Sequence, residues 1–308
     1  MPRRKKGRPV HGWLILDKPL KMTSTEAVGK VKRLFDAQKA GHAGTLDPLA
    51  TGVLPLALGE ATKTVSFAMD GEKSYRFSVR WGVETTTDDS EGDAAEVSER
   101  RPDIVDIEAA LADFRGPISQ IPPRYSAIKI DGNRAYDLAR DGEQVELEPR
   151  EVVINRLDLI RVEAPDTAVF EAECGKGTYV RAIARDLGRK LGCFGHVCEL
   201  RRTRVGPFAE AGSWSLEQLS ELGSEASGGV GLEQALLPVE AVLTNLPHLS
   251  LTSSDAVRVA RGQGVILRGR DAPILTGAAY ATHKGRLLAL VEVARGELRP
   301  TRVFNLGH

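Results

Sequence analysis

The stretch Gly41-His42-Ala43-Gly44-Thr45-Leu46-Asp47-Pro48-Leu49-Ala50-Thr51-Gly52-Val53-Leu54-Pro55 decides how this chain is read. Glycines and prolines stand near its two ends and no apolar period runs through it, which predicts an irregular, tightly turned loop. Long polar connections inside a compact domain usually carry function. Asp47 precedes Pro48, whose ring drives the preceding residue toward extended angles, so its carboxylate is held on a stiffened backbone. An aspartate titrates near ~3.9 when unperturbed; it can serve as nucleophile or base if a cation keeps it charged after burial. Taken alone, an Asp-Pro pair is equally an ordinary turn former.

Regular elements flank this loop. Upstream, Gly12 to Leu16 reads as a short buried strand. Thr23 and Glu26 form a capping-box signature, and Ala27, Val28, Val31, Leu34 and Phe35 repeat at helical spacing, predicting a helix over 24–35. Downstream, Ser74 to Gly82 alternates, with Tyr75, Phe77, Val79 and Trp81 on one face of a half-buried strand. Val152 to Val162, Ala168 to Cys174 and His196 to Val205 read as further strands. Gly175, Lys176 and Gly177 turn the chain into a helix capped by Thr178, with Val180, Ile183, Ala184, Leu187 and Leu191 on its buried stripe and Arg181, Arg185 and Arg189 opposite. Gly223 to Gly231 is small and polar, a linker or insertion, and beyond about Leu243 short apolar runs between glycine turns predict a small β-rich second domain. Strands and helices alternating without a regular βαβ repeat argue for a mixed sheet with helices packed on it.

The chain has 308 residues, enough for about two domains and a sizeable core. No apolar run approaches the roughly 18 residues of a membrane span. Trp13 to Leu16 is cut short by Asp17, Lys18 and Pro19, so neither a span nor a signal peptide is expected, and the protein reads as cytoplasmic. Cys174, Cys193 and Cys198 are an odd, sparse set that argues against a disulfide framework. Cys193, His196 and Cys198 fit no standard metal-ligand spacing, so no metal site is expected.

Lys plus Arg and Asp plus Glu both number 42, yet the signs are sorted along the chain. Arg3, Arg4, Lys5, Lys6 and Arg8 form a basic arm; residues 176–204 carry a net +6 and residues 84–113 a net −9. A basic surface attracts phosphate, so RNA or DNA is an admissible partner despite the neutral total, and a solvated helix face is the alternative. Pro122 to Gly142 interleaves Arg124, Lys129, Arg134 and Arg140 with Tyr125 and Tyr136, the mixture of cations and stacking surfaces that single-stranded RNA recognition favours.

With the loop and its surroundings in view, Gly41 to Pro55 resembles the active-site segment of the TruB family, the bacterial tRNA pseudouridine-55 synthases. Asp17-Lys18-Pro19, Lys176-Gly177-Thr178-Tyr179-Val180-Arg181 and Leu200-Arg201-Arg202-Thr203 match the same family in order and spacing. The likeness runs from about Val10 to about Val205 and is weaker beyond. It implies isomerisation of a T-loop uridine in tRNA: the base is flipped out, detached from N1, turned, and rejoined to the ribose through C5. It implies no cofactor and no metal, and tRNA gripped at its T-arm and elbow as the partner; no protein partner is implied, and the short apolar runs argue against a membrane. The family's nucleophilic aspartate falls at Asp47, its paired cation at Arg181, its base-stacking tyrosine at Tyr75, and further substrate contacts at His42, Tyr179 and Leu200. The implied fold is α+β: a mixed, largely antiparallel central sheet with flanking helices over residues 1–242, the pseudouridine synthase fold, and a small β-rich PUA-like domain that binds RNA over 243–308.

The residues allow these roles independently. An extruded uridine costs a few kcal/mol of lost stacking, which a flat aromatic face can return. Tyr75 supplies such a face, or is one more core aromatic. His42 fills the gap left by the base, or is an ordinary loop histidine. Arg181 sits in the first turn of a helix, where the dipole gives a cation no benefit, so a specific anion is expected nearby. Tyr179 and Leu200 would pass as packing without the family. Lys18 either orients the site or caps a strand end. The competing reading is a non-catalytic tRNA-binding or folding module using the same basic surface. A zinc deaminase is excluded because no His-x-Glu and Pro-Cys-x-x-Cys pair occurs, and a P-loop because Gly-x4-Gly-Lys-Ser/Thr is absent.

Overall fold

The structure, a computed structural model, describes residues 7–126, 129–130, 133–134, 147–224, 231–267 and 275–307. Strand β1 (Gly12–Lys18) is buried on both faces, and this explains its unbroken apolar run. Helix α1 (Ser24–Leu34) starts at the Thr23–Glu26 capping box. Short β2 (Ala40–His42) and long β3 (Ala50–Leu58) follow, then α2 (Val65–Asp70) and β4 (Lys73–Trp81). The expected loop over 41–55 is thus shorter than its composition predicts. Its first and last residues join strands, because Gly52, at φ 98°, lets β3 run past the Arg202 carbonyl at a distance no Cβ tolerates.

A small hairpin, β5 (Val83–Thr85) and β6 (Ala94–Val97), precedes α3 (Ile104–Leu111), β7 (Gly116–Gln120), and the short β8 (Lys129–Ile130) and β9 (Asn133–Arg134). Strands β10 (Arg150–Ala164) and β11 (Thr167–Cys174), helix α4 (Val180–Lys190) and strands β12 (Gly195–Val205) and β13 (Phe208–Ala209) complete the first unit with α5 (Leu216–Leu222). Helix α4 is capped at Tyr179, with no side-chain cap bond, and not by Thr178 as its composition predicts. The main sheet runs β1-β3-β12-β4-β11-β10-β7, with β2 on β3 and β13 on β12. Among its described strand pairs only β3 with β12 is parallel.

Strand alternation divides the core. From β1 and β3, Leu14, Leu16, Leu54, Leu56 and Leu58 pack on Ala27, Val31 and Phe35 of the α1 region. Their neighbours Trp13, Ile15, Val53 and Ala57 face the other way, toward Phe208, Val239, Leu290 and Phe304. Phe77, Val79 and Trp81 of β4 pack on Ile183, Ala184 and Leu187 of α4 and on Ile107 and Leu111 of α3.

A second, five-stranded sheet, β14-β16-β17-β18-β15, comprises β14 (His248–Ser250), β15 (Val265–Ile266), β16 (Gly277–His283), β17 (Arg286–Ala294) and β18 (Glu297–Val303), with α6 (Ser253–Ala260) packed on it. Leu287, Leu290 and Phe304 join it to the core beneath β1. Among the described residues no helix is long and apolar enough to cross a membrane. The arm residues Arg3, Arg4, Lys5 and Lys6, most of 122–142 including Tyr136 and Arg140, and 225–230 of the glycine-rich linker lie outside the described residues.

Candidate active site

The segment between β2 and β3 has few backbone bonds of its own, and side chains from distant elements supply the rest. Ser24 Oγ accepts from Leu46 N at 2.8 Å and donates to Leu46 O at 3.0 Å. Arg202, fully buried on β12, donates from Nε to Val53 O at 2.8 Å and from its two terminal nitrogens to Thr45 O at 3.2 Å and Gly44 O at 3.1 Å. Lys18 Nζ donates to Met22 O at 2.7 Å and Pro19 O at 2.9 Å, and reaches Pro48 O at 3.5 Å. Burial pushes the Lys18 ammonium down to about 8, against the pull of Asp47, which favours its charge. Buried cations satisfied by carbonyls therefore define the shape of a segment that has no regular secondary structure.

Asp47 emerges from that segment onto α4. Arg181 Nη2 stands 2.9 Å from Asp47 Oδ2, and Nη1 3.4 Å from Asp89 Oδ2. Its remaining bonds go to Thr87 O at 2.9 Å and Tyr125 O at 2.8 Å. The Arg181 side chain is 7% exposed and that of Asp47 43%, so a buried cation presents a carboxylate that substrate can still reach.

Beside the pair lies a cavity of ≈ 580 Å³ lined by Asp47, Tyr75, Tyr179, Arg181, Leu200 and Arg202, with Lys73, Arg150 and Lys176 among its cations. Strand register brings these together: Arg202 stands opposite Tyr75 and Leu200 opposite Phe77 across β12 and β4, while Leu200 pairs with Ala50 on β3. Burial pushes the phenols of Tyr75 and Tyr179 up, which keeps both rings neutral. The volume suits a nucleoside, and the lining combines flat faces, several cations and the carboxylates of Asp47, Asp70 and Glu151, of which Asp47 is the one paired with buried Arg181. Five of the six expected site residues meet here. His42 is half-buried on β2 and does not line the cavity.

Part of each charge block meets the other in three dimensions. Arg185 and Asp88, Arg189 and Glu84, and Lys190 and Asp113 are ion pairs. Arg201 pairs with Asp17 and Glu210, Arg204 with Glu72, and Lys176 with Asp70. Of the arginine stripe of α4, Arg181 and Arg185 are buried and Arg189, 52% exposed, is paired with Glu84, so the stripe is no continuous free phosphate-binding surface. Four acids of the 84–113 block, Glu84, Asp88, Asp89 and Asp113, are counter-ions to the cations of α4. Among the described residues no group of three His, Cys, Asp or Glu is placed to hold a metal. Cys174, Cys193 and Cys198 are free, and burial pushes the first two thiols up to about 11.

Residues 32–180 match the TruB family pseudouridylate synthase N-terminal domain, and residues 181–244 the tRNA pseudouridylate synthase B C-terminal domain. A tRNA pseudouridine synthase B from Bradyrhizobium diazoefficiens is 62% identical over 98% of this chain and 88% of its own length. The chain belongs to the TruB family. Another relative of that name, from Rhizobium meliloti, is 56% identical over 98% of both chains. A solved chain in a Cbf5-Nop10-Gar1 complex superposes with a TM-score of 0.70 at 27% identity, covering 92% of this chain and 78% of that one. A chain of an H/ACA RNP bound to a substrate RNA containing 2'-deoxyuridine shares the fold, with a TM-score of 0.74 at 24% identity over 99% of this chain and 92% of that one.

Two features of this TruB-family site escape sequence reasoning. Asp89, the second carboxylate on Arg181, sits in a stretch rich in acids, where no spacing distinguishes it. Arg202 reads as one more basic residue of its block, although its guanidinium is buried and spent on the loop. Lys18, read from sequence as either orienting the site or capping a strand end, is bonded to carbonyls of Pro19, Met22 and Pro48.

Proposed function

We propose that this TruB-family enzyme converts the T-loop uridine at tRNA position 55 to pseudouridine, with Asp47 as nucleophile and Arg181 as its counter-ion. The reaction breaks the N1–C1′ bond, forms a C5–C1′ bond, releases the C5 proton and adds one at N1, so product and substrate are isomers. A carboxylate close to the flipped nucleoside serves the step in which the glycosidic bond is lost. Arg181, buried and held on four sides, keeps that carboxylate oriented without reorganising during the reaction.

Tyr75 stacks on the extruded base, Tyr179 and Leu200 wall the cavity around it, and His42, outside the cavity, fills the gap left in the loop. Residues 1–242 form the catalytic unit and 243–308 a PUA-like domain that adds RNA contact beyond the T-arm. The observation carrying this reading is the reachable Asp47 carboxylate, paired to a buried arginine, on the wall of a nucleoside-sized cavity that also holds Tyr75 and Tyr179.

A tRNA transcript labelled with tritium at uridine C5 tests it. The unmodified protein should release tritium into water without added metal or nucleotide. Asp47→Asn should abolish release while tRNA affinity stays within about threefold, a difference of under ~1 kcal/mol. If the unmodified protein binds the transcript and releases nothing, the non-catalytic tRNA-binding module replaces the enzyme.

A further inference from the structure

Helix α4 carries arginines at 181, 185 and 189, one turn apart on one face, and the segment from Glu84 to Asp89 runs along that face. Arg189 takes Glu84 through two bonds, at 2.7 Å and 2.6 Å. Arg185 Nη1 donates to Asp88 Oδ2 at 3.0 Å, and Arg181 Nη1 to Thr87 O at 2.9 Å. A second segment is held by the same two arginines: Ile121 O accepts from Arg185 Nη2 at 2.7 Å, and Tyr125 O from Arg181 Nη2 at 2.8 Å. Two guanidinium groups one turn apart thus clamp the same pair of loops.

The acceptors of Arg181 other than carboxylates are loop carbonyls, so the plane of its guanidinium is set by where those loops lie. Arg185 fixes both loops, yet it does not line the cavity. Asp88 is tied down on its other side as well. Its backbone is left-handed, φ 61°, and its carbonyl accepts from Val197 N at 3.1 Å. Aspartate tolerates that conformation at modest cost, so it is the Val197 bond that ties the Asp88 backbone to β12.

We propose that Arg185 and Asp88 are a positioning pair for the Arg181–Asp47 couple, setting the guanidinium plane through the 87–89 and 121–125 loops. This rests on the reading of Asp47 and Arg181 as the catalytic pair. The pair touches no substrate, and its effect belongs in the chemical step and not in binding. Displacing a reacting group by about an ångström costs up to about a hundredfold in rate.

The side chains of Arg185 and Asp88 are 8% and 9% exposed, so losing the arginine alone strands a buried carboxylate. The test therefore uses the Arg185→Met/Asp88→Asn double variant and Arg185→Lys, in the full chain, with steady-state tritium release from the labelled transcript. Release by the unmodified protein must be measured first, since its absence overturns the enzyme reading and not this one. The double variant should lose about 10- to 100-fold in kcat with KM within about threefold. Arg185→Lys, which reaches Asp88 but cannot fork to Ile121, should fall between the two. A folded double variant with kcat within about twofold of the unmodified protein, or with the loss confined to KM, overturns the proposal. If the double variant fails to fold, Arg185→Lys decides: a kcat lowered at least about threefold at unchanged KM supports the pair, and an unchanged kcat overturns it.

Discussion

Arg181 Nη2 lies 2.9 Å from Asp47 Oδ2, joining the irregular segment before β3 to the first turn of α4. The same guanidinium is bonded to Thr87 and Tyr125 carbonyls and paired with Asp89, so the one exposed carboxylate of this cluster is oriented by a cation that has no freedom of its own.

That geometry predicts that charge alone is insufficient at position 181. Arg181→Lys keeps the charge but cannot reach four acceptors with one ammonium, so kcat should fall by about 10²–10³ with transcript affinity retained. Arg181→Met strands Asp89, whose side chain is 9% exposed, and should also cost about 3–5 kcal/mol of stability by denaturant titration.

The stacking role proposed for Tyr75 is tested by separating ring from hydroxyl. Tyr75→Phe keeps the flat face and should bind substrate with near-normal KM. Tyr75→Leu keeps apolar volume but loses the face, and should weaken substrate by about 1–3 kcal/mol, roughly ten- to a hundredfold. Equal losses for both variants would mean that the hydroxyl, and not the stack, matters.

Lys18 gives a pH dependence of definite sign. Burial lowers its folded value from 10.5 to about 8, so the folded protein binds fewer protons than the unfolded one between those values. Stability contributed by this group therefore rises with pH across that window, and Lys18→Met should flatten the rise in denaturant midpoints measured from about pH 8 to 10. Above about 8 the site also loses a cation near Asp47, and kcat of the unmodified enzyme should decline there more steeply than kcat of Lys18→Met.

Gly52 tests the central strand junction. A Cβ there would stand 2.3 Å from the Arg202 carbonyl, at φ 98°. Gly52→Ala should cost at least about 2 kcal/mol in denaturant midpoint, from a forced left-handed backbone and a separated β3–β12 pair. Gly41→Ala, which meets nothing within 4 Å, serves as the control.

Much of this molecule was readable in one dimension because its causes are local. Alternation placed Tyr75, Phe77, Val79 and Trp81 on one face of β4, the Thr23–Glu26 box started α1, and Asp47 before Pro48 marked a stiffened carboxylate. The likeness of the 41–55 segment to one family named the site, and the cavity gathers five of its six residues. Charge was the feature read least well. A basic block and an acidic block looked like separate surfaces, yet Arg181 and Thr87, 94 residues apart, are bonded, and Arg185 and Asp88 are a buried pair. Which cation meets which anion depends on how strands β5 and β12 and helix α4 come together, and Coulomb attraction acts over distance in space, not along the chain. Tertiary structure alone therefore decided that Arg181 and Arg185 of α4 are buried and hold loops in place, that Arg189 is paired with Glu84, and that Arg202 spends its guanidinium on shaping the segment that carries Asp47.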